Sequence, residues 1–195
     1  RTSLLPGLMR AVSYNIKRNL NNFKLFETGV IHRYVENVDR KSVESDSIAL
    51  VFVTGKEEHW RRNDGMDFYS IKGEIKSLFN YLRFEIIEFS VLDLIGFSNA
   101  FTIKVDGVKI GYWGQIEKKL LKNYKVNNDV FGLEFDYKKI NKFYFEKKLK
   151  FKSPNIYPII KRDIAIEIDS NLKSDDIKKT ILTNGGKYLK DIILF

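Results

Sequence analysis

A chain of 195 residues, 44% hydrophobic and 14% aromatic, buries enough apolar surface for a real core and is too long for a disulfide-stapled miniprotein. It holds no cysteine, which excludes disulfides, thiolate zinc sites and a cysteine nucleophile and points to a reducing compartment, the cytoplasm. Its formal charge of +9 suits a polyanionic partner, but lysines scattered over solvated faces give the same balance.

Residues 1–7 lack the apolar core of a secretory signal, and no run approaches the roughly 20 apolar residues that span a bilayer, so a soluble chain is expected. The first residue is Arg1, not methionine, and this suggests a chain that begins inside a longer gene product.

Leu8, Val12 and Ile16 recur at every fourth position behind Thr2, Ser3 and Pro6, which predicts an amphipathic helix over 6–20. Residues 23–34 read as a strand with a bulge or bend at Gly29, and 38–46 as a polar loop or hairpin tip. Residues 48–54, Ile-Ala-Leu-Val-Phe-Val-Thr, form a β-branched run expected in a central strand covered on both faces. The charged stretch 56–67 with Asp64-Gly65 reads as a surface excursion, followed by a helix in which Ile71, Ile75, Leu78 and Leu82 keep helical spacing behind Asp67 as cap.

Strands are expected at 84–89 and 100–105, with Asp106-Gly107 as a two-residue hairpin turn into 108–113. A short helix over 115–124, a strand over 129–135 and a helical turn at 137–140 complete this half. Ser153-Pro154 and Tyr157-Pro158, after the basic run Lys147, Lys148 and Lys150, mark a boundary between domains 1–150 and 151–195. Beyond it, a strand at 163–169 (Ile164, Ile166, Ile168), a helix at 174–184 stopped by Gly185-Gly186 and a strand-like run at 188–195 give a β-α-β order, the first half of a ferredoxin-like fold.

Several blocks, in order, resemble the beta chain of bacterial phenylalanyl-tRNA synthetase: Arg-Thr-Ser-Leu-Leu-Pro-Gly-Leu at 1–8, Lys-Leu-Phe-Glu-Thr-Gly at 24–29, Asp-Phe-Tyr-Ser-Ile-Lys-Gly-Glu at 67–74, Gly-Tyr-Trp-Gly at 111–114, and Tyr157-Pro158 with Arg162-Asp163. The resemblance implies a C-terminal portion of that chain. Its fold would be α+β, a class II synthetase-like antiparallel sheet flanked by helices, followed by a partial ferredoxin-like anticodon-binding domain. It also implies a partner alpha subunit that activates phenylalanine with ATP and magnesium, the substrate tRNA(Phe), and an enzyme of two alphas and two betas.

A working class II site holds ATP through an arginine in Phe-Arg-x-Glu and another in a late Gly-x-Gly-x-Glu-Arg, because cations and an orienting carboxylate match a nucleoside triphosphate. The corresponding stretches here keep Arg33 but carry Val35 at the carboxylate position, Glu134 in place of a glycine and Tyr137 in place of the second arginine. By that comparison the site is dead, since a carboxylate facing triphosphate repels it. No catalytic residue, metal ligand or bound cofactor is expected.

Other chemistry finds little support. His32 and His59 form no ligand cluster, and no phosphate-binding glycine loop or Gly-x-Ser-x-Gly elbow is present. Glu57-Glu58 reads as a solvated pair and Asp175-Asp176 as first-turn carboxylates that complement a helix dipole. His59, Trp60, Arg61 and Arg62 either grip RNA or form a surface loop with the indole packed down, and Tyr112 and Trp113 are read as core or a subunit contact. For tRNA phosphates the candidates are Lys161 and Arg162 with Lys147, Lys148, Lys150 and Lys152, with weak binding expected. The apolar tail Ile192, Ile193, Leu194, Phe195 reads as an edge open to another chain. The leading functional expectation is a noncatalytic, tRNA-holding part of an aminoacylating ligase. The alternatives are a free-standing RNA-binding module of synthetase-like fold and an active small-molecule ligase or nucleotide-binding enzyme.

Overall fold

The computed structural model describes residues 1–34, 42–55, 66–84, 87–146, 158–169, 172 and 174–193. The expectations placed on Val35, on residues 56–65 with Glu57, Glu58 and His59, on residues 147–157 with Lys148 and Lys150, and on Leu194 and Phe195 lie outside these. The chain divides into two compact units, Arg1–Leu149 and Lys150–Phe195.

The first unit opens with helix α1 (Leu5–Ile16), with Pro6 in its first turn and Leu5, Leu8, Met9 and Val12 buried along one stripe. The helix stops at Ile16, short of residue 20, because Asn19 turns into the left-handed region (φ 65°) and the Leu20 N–H folds back onto the Asn15 carbonyl at 3.3 Å.

Six strands follow: β1 (Phe23–Tyr34), β2 (Ser42–Thr54), β3 (Ile87–Leu92), β4 (Phe97–Val105), β5 (Val108–Ile116) and β6 (Asp129–Asp136). They form one sheet in the order β1-β2-β6-β5-β4-β3, with every neighbouring pair antiparallel. The expected bend at Gly29 is not there: the β1–β2 register is unbroken from Phe23 opposite Val53 to Tyr34 opposite Ser42. The glycine instead leaves room for Leu4 and for the Arg1 guanidinium, which lie where a Cβ would project. β2 begins at Ser42, well before residue 48, because its polar first half pairs with residues 29–34. The Asp106-Gly107 turn is as read, with both residues at positive φ (49° and 78°), the primed geometry that matches strand twist. β5 runs on through Gln115 and Ile116, so the next helix, α3 (Lys118–Asn123), is shorter than expected.

Strand alternation gives the sheet two buried faces. On one, Ala49, Val51 and Val53 of β2 and Val130 of β6 pack against α1 and α3. On the other, Phe52, Trp113, Phe131, Leu133 and Phe135 pack under α2 (Phe68–Tyr81) and α4 (Tyr137–Glu146), the latter a full helix and not a single turn. Phe68 and Phe101 stack on Trp113 at ring separations of 5.0 and 5.2 Å, and such pairs add about 0.5–1.5 kcal/mol each beyond area burial. β2 is thus flanked on both edges and covered on both faces, as its continuous apolar run demanded.

In the second unit, α5 (Ser174–Asn184) forms with the bounds read from the sequence. The expected flanking strands are not seen: residues 158–169 and 187–193 have no ladder among the described residues, and Ile164, Ile166 and Ile168 are exposed. Of the β-α-β order, the described residues show the helix alone. Alternating isoleucines make a strand only when a neighbour supplies the hydrogen bonds.

Candidate functional site

The centre of interest lies on the α1 face of the sheet, at Glu134. β6 is fixed between β2 and β5, with Glu134 opposite Ala49 on one side and Tyr112 on the other. Two residues earlier, Gly132 lies beneath Leu5 of α1, 3.3 Å from where a Cβ would be. The helix can therefore approach the strand closely, and its N-terminus comes down on Glu134.

The Glu134 side chain is 3% exposed, a position where an isolated carboxylate is costly. It is satisfied in full from within the chain. Oε1 accepts from the Leu4 N–H at 3.0 Å and the Ser47 hydroxyl at 3.2 Å. Oε2 accepts from the Ser3 hydroxyl at 2.7 Å and the Tyr112 hydroxyl at 2.6 Å. Leu4 is the N-cap residue of α1 and makes no side-chain cap of its own. Glu134 thus caps the helix from across the sheet, with its negative charge on the positive end of the macrodipole. The Ser3 hydroxyl extends the relay by accepting from the Leu5 N–H at 3.1 Å.

The segment that delivers these donors is pinned to β1. The His32 N–H donates to the Arg1 carbonyl at 2.8 Å, and the Arg1 guanidinium meets Glu27 at 2.6 Å with both side chains substantially exposed, so that the ion pair contributes little.

Beside this knot lies a polar cleft of about 330 Å3, lined among others by Ile31, Ser45, Ser47, Tyr112, Glu134 and Asp136. Asp136 accepts from the Lys139 N–H at 3.1 Å, at the start of α4, and from Ser45 at 3.3 Å. Glu134 and Asp136 share this lining with Lys109 and Lys139, so the cleft carries both signs of charge. A second cleft of about 210 Å3, apolar, lies between α1, α3 and the β3–β4 turn, and shares Tyr112 and Leu94 with the first.

The sequence-derived residues fall as follows. Arg33 lies near the end of β1 in register with Val43. Glu134 is the buried knot, and Tyr137 is the first residue of α4, 44% exposed. Lys161 and Arg162 are exposed in the irregular part of the second unit. Val35, Lys148 and Lys150 lie outside the described residues. Sequence reasoning missed Ser3, Ser47 and Tyr112 as partners of Glu134. The available signal was a glutamate inside the apolar strand Val-Phe-Gly-Leu-Glu-Phe, which has to find donors. Among the described residues no cluster of His, Asp and Glu could hold a metal ion, and no helix is long and apolar enough to cross a membrane.

A six-stranded antiparallel sheet with helices on both faces is the architecture of aminoacyl-tRNA synthetase-like proteins. The pyrrolysyl-tRNA synthetase of Desulfitobacterium hafniense superposes with a TM-score of 0.56 at 12% identity, covering 75% of this chain and 50% of that one, a likeness of fold alone. Within that class, residues 1–137 match the family described as phenylalanyl tRNA synthetase beta chain CLM domain, and the chain belongs to this family. Among curated relatives, the phenylalanine–tRNA ligase beta subunit of Pseudoalteromonas translucida is 31% identical over 204 residues, and that of Bacteroides thetaiotaomicron 27% over 208. Both matches take in the whole chain, which spans about a quarter (25%) of each relative's length.

Proposed function

We propose that the chain is a noncatalytic, tRNA-facing part of the beta subunit of a phenylalanine–tRNA ligase. In this reading a separate alpha subunit attaches phenylalanine to tRNA(Phe) with ATP and magnesium, and the first unit serves as architecture for it. Family membership supports the assignment, and the observation that carries the noncatalytic part is Glu134. The place where the class II pattern would carry a glycine beside the nucleotide holds a buried carboxylate, used up by Ser3, Leu4, Ser47 and Tyr112. A carboxylate at that position opposes a triphosphate there by like charge and leaves no room for the close backbone approach that a glycine allows. The same reading makes the assembly two alphas with two betas in the cytoplasm, and residues 151–195 part of a ferredoxin-like anticodon-binding domain, with Lys161, Arg162, Lys148 and Lys150 on tRNA phosphates.

The test is capture of the matching alpha subunit by this chain and by the full-length beta chain, with ATP–pyrophosphate exchange measured on each. Alpha capture with no exchange by this chain alone is the expected result. Exchange by this chain alone, abolished by Arg33→Ala, would overturn it. The basic balance of +9 favours one second reading, a free-standing RNA-binding module; that would show tight RNA binding and no capture of alpha.

A further inference from the structure

The outer surface formed by α1 and α3 carries positive charge that the Glu134 site does not use. On α1 the buried stripe of Leu5, Leu8, Met9 and Val12 leaves Arg10, Tyr14, Lys17 and Arg18 exposed at intervals of three to four residues on the opposite side. On α3, Leu121 points inward while Lys119 and Lys122 are exposed, with exposed Lys125 one turn on.

The two helices are tied together. The Ser13 hydroxyl donates to the Tyr124 carbonyl at 2.6 Å, and Leu120 and Tyr124 pack into the same core as α1. Arg10 and Lys17 lie about one turn either side of Ser13 on α1, so they share the flank that meets the lysines of α3. Among the described residues, the one carboxylate within ion-pair distance of these cations or of neighbouring Lys118 is Asp129, 3.4 Å from the Lys118 ammonium. An aromatic platform stands beside the charge: the Arg18 guanidinium lies 3.4 Å from the Tyr14 ring centroid, and Tyr14 is 58% exposed.

We infer that this α1–α3 ridge is an RNA-binding surface, with Arg10, Lys17, Lys119, Lys122 and Lys125 on backbone phosphates and the Tyr14–Arg18 pair as a stacking platform for an unpaired base. Lysines and arginines that neutralise phosphates release counterions, and a stacked aromatic–guanidinium pair accepts any base face. A lipid surface fits less well, because the apolar stripe of α1 is committed to the core and is not free to insert. The choice of RNA over other polyanions rests on the proposed function. The surface belongs to the first unit and is additional to Lys161 and Arg162 of the second.

The experiment is fluorescence anisotropy of the whole chain with a labelled RNA hairpin bearing a single-stranded tail, between about 50 and 300 mM salt, with alpha capture measured on the same proteins. K17Q/K119Q/K122Q is expected to lower the magnitude of the log–log salt slope by about two, at roughly 0.7 per lost single-strand phosphate contact. Y14L is expected to weaken binding roughly fivefold or more. A charge-matched control, K76Q/K104Q/K109Q, should leave the slope unchanged. Tyr14, Lys17, Lys109, Lys119 and Lys122 are exposed and Lys76 and Lys104 half-buried, and unchanged circular dichroism would confirm that the variants fold. Equal slope changes in both triple variants, no RNA binding by the parent chain, or equally salt-sensitive and K17Q/K119Q/K122Q-sensitive binding to phosphatidylserine vesicles or polyglutamate would overturn the inference. Retained alpha capture alongside such a result places the failure on the ridge alone, whereas lost capture by the parent chain removes the proposed function.

Discussion

Glu134 illustrates how one side chain can be read as a lost catalytic position and as a structural requirement at once. Its oxygens accept from the Leu4 N–H and from the hydroxyls of Ser3, Ser47 and Tyr112, so every partner presents a proton. Replacing it by glutamine keeps the volume but removes the charge and turns an amide NH2 toward these donors, so the charge-assisted bonds are lost and a hydroxyl has to turn its proton away to accept from the amide. Glu134→Gln is expected to destabilise the first unit by about 2–3 kcal/mol and Tyr112→Phe by about 1–2 kcal/mol, because only one bond is lost in the second case. The two changes act on one network, so the double variant should fall short of the sum. Urea unfolding followed by tryptophan fluorescence measures all three. A Glu134→Gln cost below about 0.5 kcal/mol would show that the carboxylate does not organise the α1 terminus.

At the scale of elements, α2 shows a local rule at work without tertiary help. Asp67 is extended, and its carboxylate accepts from the Ser70 N–H at 2.7 Å and the Ser70 hydroxyl at 2.6 Å. These bonds, the Ser70 hydroxyl first and its N–H second, hold the Asp67 carboxyl below its ordinary value of 3.8. A carboxyl lowered in the folded state contributes stability that is fully present above that ordinary value and is lost as pH falls through the lowered one. Asp67→Ala should therefore lower Tm at neutral pH, and Asp67→Asn, which still caps, should keep most of it. Melts at about pH 6 and about pH 3 check the sign: the advantage of the parent over Asp67→Asn should shrink in acid. An advantage that grows in acid would contradict the capping role.

The same local logic explains what the sequence disclosed. Asp67, the Asp106-Gly107 turn and the apolar run of β2 each carry their signal within a few residues, and each formed as read. What stayed hidden depends on distant partners. Gly29 resembles a bend signal, but it is fixed by Leu4 and Arg1 packing above it. Residues 42–47 are polar yet become strand because residues 29–34 lie alongside. Ser3, Ser47 and Tyr112 converge on Glu134 from elements far apart in the chain, and no spacing rule joins them. The alternation of Ile164, Ile166 and Ile168 was legible as a strand preference, but preference without a neighbouring strand leaves an extended, exposed segment.

For the molecule as a whole, the two units differ in how their stability arises. Among the described residues, both apolar clusters of the first unit are assembled from residues up to Phe143, which lie within Arg1–Leu149. In the second unit, Ile159, Ile160, Ile164 and Tyr188 are exposed, and α5 is a helix of 11 residues with largely exposed side chains, a length that is marginal in water without tertiary packing. Trp113 is buried in the first unit and residues 150–195 contain no tryptophan, so indole fluorescence follows the first unit. Deleting residues 150–195 should accordingly leave the fluorescence-detected Tm within about 2 °C of the whole chain, a shift that corresponds to less than about 1 kcal/mol at this size. Amide exchange on the intact chain should show strong protection in β2 and β6 and little over residues 158–169, where no ladder forms among the described residues. A drop in Tm of about 5 °C or more on truncation, or protected amides across 158–169, would mean that the isoleucine-rich segment has found a partner strand, and the independence of the first unit would have to be given up.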